Sequence, residues 1–333
     1  MTSRRAAPGE VDVQRMWFGE VTCGAINDCA LRFTTGHAQS ENDTITKTLW
    51  DTAMPFLNRP GQPRLHYELD DHTDPWKNAP AILLQHGYAR SSKFWRLCVP
   101  YLSRFYKVIR LDLRGQGQSD IDFDLDTGIN LESYLNDFTD LLDHLGIASA
   151  HYCGESSAGT LGMAFAAERP ARVRTLSVVS SPVYMTEEDK QSSLHGHPNR
   201  LEALRKMGGR GWLEASNAGR RFPVDSDPAM LKWTLDEMGK SDTDVLIAMF
   251  KFVSNVNVTP LLSKITAPVL GIYPSGGVIT KDEHHELLHK HVKNLRLIHV
   301  PTAAHSLQIV QPAMTATTVL HFIATHDGIA CHE

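Results

Sequence analysis

The sequence predicts an α/β protein: a mostly parallel, doubly wound sheet with a helical block inserted late in the chain. Three observations carry this. Short apolar runs alternate with segments of helical period from about residue 64 to 180. The alternation breaks at about Pro182 and resumes at Pro268. The residues between those two points hold helical stretches and little strand signal.

The elements follow in order. Arg64 to Leu69 alternates like a half-buried strand, and Ala79 to Gln85 reads as a strand buried on both faces. Phe94 to Phe105 carries helical spacing, and Lys107 to Leu113 is a second buried strand. Asn130 to Leu145 is the clearest helix. Leu131, Tyr134, Leu135, Phe138, Leu141, Leu142 and Leu145 recur at steps of three and four, Asn130 can cap the start, and Gly146 can end it. Ser149 to Cys153 is a strand, Ala158 to Glu168 a helix that Pro170 stops, and Arg174 to Ser180 a strand. In the inserted block, Arg200 to Lys206 and Pro228 to Met238 are helical. The core then resumes with the strand Pro268 to Tyr273, a helix Thr280 to Val292, the strand Leu295 to Val300 and a last helix Gln311 to Thr325. This divides the chain into an extension at 1–52, an arm or lid without clean periodicity, a first core segment at 53–182, a helical cap at 183–260 and a second core segment at 261–333.

Composition narrows the class. Of the 333 residues, 42% are hydrophobic and 21% charged, the balance of a chain that buries a core. Lys and Arg number 33 against 38 Asp and Glu, and no basic block suggests a nucleic-acid groove. The five cysteines (Cys23, Cys29, Cys98, Cys153 and Cys331) are scattered, which argues against a disulfide framework or a zinc ribbon. No apolar secretory core and no membrane-spanning run is evident, so the expected location is the cytoplasm.

Chemistry concentrates in four segments. The strand ending at Cys153 runs into Gly154-Glu155-Ser156-Ser157-Ala158-Gly159 and then a helix. A sharp turn between strand and helix lifts Ser156 above the sheet as a nucleophile and demands small neighbours, which Gly154 and Ala158 supply. The plainer alternative is a tight turn whose serines cap the next helix. The Ser157 N–H lies at the positive end of that helix, beside a developing oxyanion. Gln85-His86-Gly87-Tyr88 follows a buried strand, and the Tyr88 N–H is the expected second oxyanion donor. Asp112-Leu113-Arg114-Gly115-Gln116-Gly117-Gln118-Ser119 follows the next strand.

Together with a late histidine, the order H-G, D-L-R-G-x-G-x-S, G-x-S-x-A-G resembles the α/β-hydrolase superfamily over about residues 53–325. Within it, the small esterases, lactonases and carbon–carbon bond hydrolases look closest. The resemblance implies His305, in the loop after Leu295 to Val300, as the general base for Ser156. It also implies an acid in the turn after Pro268 to Tyr273, where this chain has Gly277, or after the preceding strand, where it has Ser180-Ser181-Pro182. Asp282 is therefore the candidate acid, although its plainer role is a favourable charge at a helix N-terminus. Dehalogenases and epoxide hydrolases look similar but carry Asp where Ser156 stands.

The expected activity is hydrolysis of a small to medium, largely apolar ester or lactone through a Ser156 acyl-enzyme, without cofactor or metal. Trp212 and Trp233 are the expected pocket aromatics, and Arg90 is the candidate for holding a substrate carboxylate, although its plainer role is that of a surface arginine. The small-molecule substrate is the expected partner, with no nucleic acid and no membrane, and a homo-oligomer is compatible with the sequence. Other readings stay open: a cofactor-free lyase or dioxygenase or a carbon–carbon bond hydrolase on the same fold, and a non-catalytic ligand receptor. The H-E-x-x-H spacing at His285-Glu286-Leu287-Leu288-His289 could in principle hold zinc, but it falls on an ordinary core helix, where a chance match is the better account.

Overall fold

The computed structural model describes residues 55–331 apart from 218–220, 224 and 278. The expected N-terminal extension, Cys23 and Cys29 lie outside the described residues. The predicted α/β fold is the observed one. Eight strands form one sheet: β1 (Phe56–Leu57), β2 (Leu65–Asp70), β3 (Ala81–Gln85), β4 (Lys107–Leu111), β5 (Ala150–Glu155), β6 (Val173–Val179), β7 (Val269–Pro274) and β8 (Leu295–Val300). Their spatial order is β1-β2-β4-β3-β5-β6-β7-β8. Strands β3 to β8 are parallel, while β2 runs antiparallel to β4 and β1 to β2.

Because side chains alternate along a strand, the central strands feed two cores. Leu83 and Ile109 point to one face, where α1 (Leu131–His144) and α2 (Ser157–Glu168) cover them with Leu135, Phe138, Leu161 and Phe165. Ile82, Leu84 and Val108 point to the other, under a later helix. Helix α1 starts as its sequence requires, with the Asn130 side chain accepting the Ser133 N–H at 2.9 Å, and it stops where Gly146 takes a positive φ of 67°.

Between β6 and β7 the chain leaves the sheet for α3 (Arg200–Asn217), α4 (Pro228–Met238) and α5 (Thr243–Asn255). Gly208, at φ 70° and ψ 161°, breaks α3 into two pieces. After β7 come α6 (Asp282–His291) and, past β8, α7 (Pro312–Asp327), which supplies Val319, Leu320 and Ile323 to the second core. No helix among the described residues is long and apolar enough to cross a membrane.

One helix differs from expectation. Phe94 to Phe105 is not continuous: a 3-10 turn at Ser92–Trp95 and a four-residue helix at Val99–Leu102 replace it. Pro100 is the reason. It lacks an N–H and fits a helix only in its first turn, so the segment restarts there.

The H-E-x-x-H segment does lie on α6, but its two histidines live in different surroundings. His285 is buried edge-on against Tyr273 (4.4 Å between ring centroids) and His299 (5.0 Å), while His289 is exposed. Among the described residues no three His, Cys, Asp or Glu side chains are grouped to hold a metal ion.

Candidate active site

The turn from β5 into α2 holds Ser156 at φ 58° and ψ −129°, a backbone conformation that side chains other than glycine rarely adopt. Close packing imposes it. A Cβ on Gly154 would lie 2.5 Å from the Ala158 carbonyl oxygen, and one on Gly159 would lie 1.9 Å from the Ser181 Oγ. The serine therefore stands clear of the sheet, with Gly154, Ala158 and Gly159 packed closely around the turn.

His305 arrives from the loop after β8, the outermost strand. Its Nε2 lies 3.0 Å from the Ser156 Oγ, although the two are 149 residues apart in sequence. The His305 backbone N–H donates to the Arg221 carbonyl at 3.0 Å, so the inserted block helps fix this loop.

The segment after β3, His86 to Tyr88, is held from below. The buried His86 ring donates from Nδ1 to the Gly87 carbonyl (2.9 Å) and accepts the Leu113 N–H at Nε2 (3.0 Å), which defines a neutral tautomer. Burial pushes its pKa down to about 4, against the opposing pull of Asp112. The Tyr88 N–H donates to the Ser157 Oγ at 3.0 Å, and the Tyr88 hydroxyl donates to the Leu246 carbonyl at 2.9 Å. The Ser157 N–H opens α2 and has no helical carbonyl behind it. The D-L-R-G-x-G-x-S turn serves as a brace. Asp112 accepts from the Ser92 N–H, the Gln118 N–H and His66, and Gly117 (φ 59°) leaves room for its carboxylate.

A second buried imidazole, His151 on β5, is likewise pushed down to about 4, chiefly by burial. Both rings stay neutral in the folded chain, whereas the unfolded chain takes up the proton near 6.5. Stability is therefore complete above about pH 6.5 and falls as the pH drops toward 4, by up to about 3 kcal/mol for each ring. Urea midpoints should fall markedly between about pH 7.5 and 4.5; a flat profile would contradict neutral buried rings.

Three expected site residues fall elsewhere. The Asp282 side chain is fully exposed at the start of α6, where its imidazole neighbour is His285 at 3.7 Å, not His305. A residue in the first turn of a helix after β7 cannot swing back once that helix begins at Asp282 itself. Arg90 does not face substrate space. It is 2% exposed beneath the site, pairs with Glu155 at 3.2 Å and donates to the Ser306 Oγ at 2.9 Å. Trp233 packs on Phe94 (5.4 Å) and under the Arg96 guanidinium (4.8 Å), away from Ser156. Trp212 does line the cavity, edge-on to Tyr88, with its Nε1–H donating to the Ser193 carbonyl.

Among the described residues the carboxylate set against His305 is Glu155, with Oε1 3.6 Å from Nε2. Glu155 is the residue before Ser156 and is completely buried. Burial pushes its pKa up, and Arg90, Arg221 and the Gly87 N–H pull the other way. Sequence reasoning passed over it, although a carboxylate at the end of a strand buried at every position was a usable signal.

Ser156 and His305 open onto a cavity of about 90 Å³. The inserted block supplies much of its wall, including Tyr184, Arg200, Trp212, Arg221, Phe250 and Val253.

A strand–turn–helix serine, an imidazole from the last parallel strand and a backbone donor after β3 are the ground plan of the α/β-hydrolase fold. The chain belongs to that family: residues 80–312 match the family model for the alpha/beta hydrolase fold. Its relatives include 3-oxoadipate enol-lactonase 1 of Acinetobacter baylyi, 27% identical over 240 residues, covering 71% of this chain and 85% of that protein. Karrikin insensitive 2 receptor IA of Petunia hybrida is 24% identical over 250 residues, covering 74% of this chain and 90% of that one. Among solved structures, the enol-lactonase from Burkholderia xenovorans superposes with a TM-score of 0.72 at 23% identity, covering 81% of this chain and all of that one.

Proposed function

We propose that this protein is a cytoplasmic serine hydrolase of small carboxylic esters or lactones. The observation that carries the reading is the 3.0 Å approach of His305 Nε2 to Ser156 Oγ at the wall of a cavity. The lactonase among its relatives supports the same substrate class. The helices between β6 and β7 act as a cap over the site.

His305 takes the Ser156 proton as Oγ attacks the carbonyl carbon. The oxyanion accepts the Ser157 N–H and the Tyr88 N–H, the latter exchanged from the Ser157 hydroxyl that holds it at rest. The leaving alkoxide takes the proton from His305, and water repeats the sequence to release the acid. Glu155 supplies a negative charge beside the imidazolium that forms. It faces Nε2, the nitrogen that also faces serine, so it stabilises the cation without fixing the tautomer.

A fluorophosphonate probe tests this. It should label wild-type protein at Ser156 and leave Ser156→Ala unlabelled, while a panel of short aryl esters and lactones yields turnover in the former alone. An unlabelled serine together with full turnover by Ser156→Ala would overturn the reading in favour of a lyase or a receptor.

A further inference from the structure

Two arginines line the cavity, Arg200 and Arg221. Arg200 is tied into the cap. It donates to the Asp189 and Ser192 carbonyls and the Ser192 hydroxyl, and it lies against the Trp212 and Phe250 rings. Arg221 is placed differently. Its carbonyl accepts the His305 N–H, which hangs it on the wall that carries the base. Among the described residues, none hydrogen-bonds to its side chain or forms a salt bridge with it. Burial, with Arg90 and Arg200 close by, pulls its pKa down to about 9 against the opposing pull of Glu155, so it stays charged at neutral pH.

The acids nearby are already engaged. Glu155 pairs with Arg90 at 3.2 Å. Asp189, also on the lining, accepts from the Thr186 hydroxyl at 2.8 Å. Around this pocket three guanidiniums, Arg90, Arg200 and Arg221, thus stand against two carboxylates among the described residues. The carboxylate near Arg221, Glu155, is already shared with Arg90, so a further anion is favourable there, and a planar guanidinium matches a carboxylate through two hydrogen bonds.

We propose that Arg221 binds a substrate carboxylate, so the preferred substrates are short esters or lactones that carry a free carboxylate a few bonds from the reacting carbonyl. This rests on the serine-hydrolase reading and narrows its substrate. The apolar walls, Trp212, Phe250 and Val253, take the intervening chain, and a cavity of about 90 Å³ keeps that chain short. The role once expected of Arg90 passes to a cation on the cap side of the site.

The test compares mono-p-nitrophenyl glutarate with p-nitrophenyl methyl glutarate, which differ in one free carboxylate. Wild type should favour the acid by about tenfold or more in kcat/KM, as a charge-assisted bidentate pair allows. Arg221→Met should bring that ratio to about one, mainly through KM for the acid, and Arg221→Lys should restore part of it. The ratio cancels any general loss of active protein. In unaltered protein, glutarate should also protect Ser156 from the fluorophosphonate where glutaramide does not. Labelled Ser156 with equal rates on both esters, and a ratio unmoved by Arg221→Met, overturns the carboxylate site and leaves the hydrolase reading standing. Absent labelling and absent turnover of both esters overturn the hydrolase reading. Calorimetric titration of wild type and Arg221→Met with glutarate then decides the anion site alone: loss of binding in the variant supports it, and equal or absent binding refutes it.

Discussion

Replacing His305 with alanine should lower kcat on any ester or lactone the protein turns over by about 10⁴-fold, with little change in KM. Without an imidazole 3.0 Å from Oγ, the serine must attack as a neutral hydroxyl and the leaving group must depart unprotonated. The oxyanion donors remain, so a residual rate above water is expected. Combining His305→Ala with Ser156→Ala should cost scarcely more than either alone, because the two act as one unit. A loss below tenfold, or additive losses, would mean that another base serves the reaction.

Glu155→Gln should produce two separable effects. The first is on stability. Arg90 would lose the carboxylate it pairs with in the interior, and breaking a buried pair from one side costs about 3–5 kcal/mol. The second is on catalysis. A negative charge 3.6 Å from Nε2 favours the imidazolium, so removing it should slow turnover and move the acid limb of the pH–rate profile to lower pH. Glu155→Asp should recover part of the profile. A variant that loses stability but keeps the wild-type pH limb would show that Glu155 only braces the site through Arg90.

The sheet and most helices were legible because their signals are local. Alternate burial of Ile82, Leu83 and Leu84 follows from one apolar run, and α1 carries both its stripe and its caps in its own residues. The bend at Ser156 was legible in the same way, since only small side chains clear the Ala158 carbonyl and the Ser181 hydroxyl. What stayed hidden depends on residues far apart in the chain. Arg90 could be placed only by knowing that Glu155 and Ser306 converge on it, across separations that no window of sequence spans. Arg221 gave no local sign, being one arginine among many until the segment between β6 and β7 brings it to the cavity wall. Helix α5 went unread because Val245 to Phe250 is apolar throughout, so no stripe marks its period.

Ser156 and His305 are anchored to parts of the sheet that differ in tenacity. Ser156 stands on β5, clasped by β3 and β6, whereas His305 hangs from β8, a rim strand paired only with β7 among the described residues. Most positions of β8 are at least partly open to solvent, and every position of β5 is shut. Fraying at the rim would carry off the imidazole while the centre stayed folded. Hydrolysis should therefore vanish at lower urea than the far-ultraviolet dichroism does. Coincident transitions would mean that rim and centre melt as one.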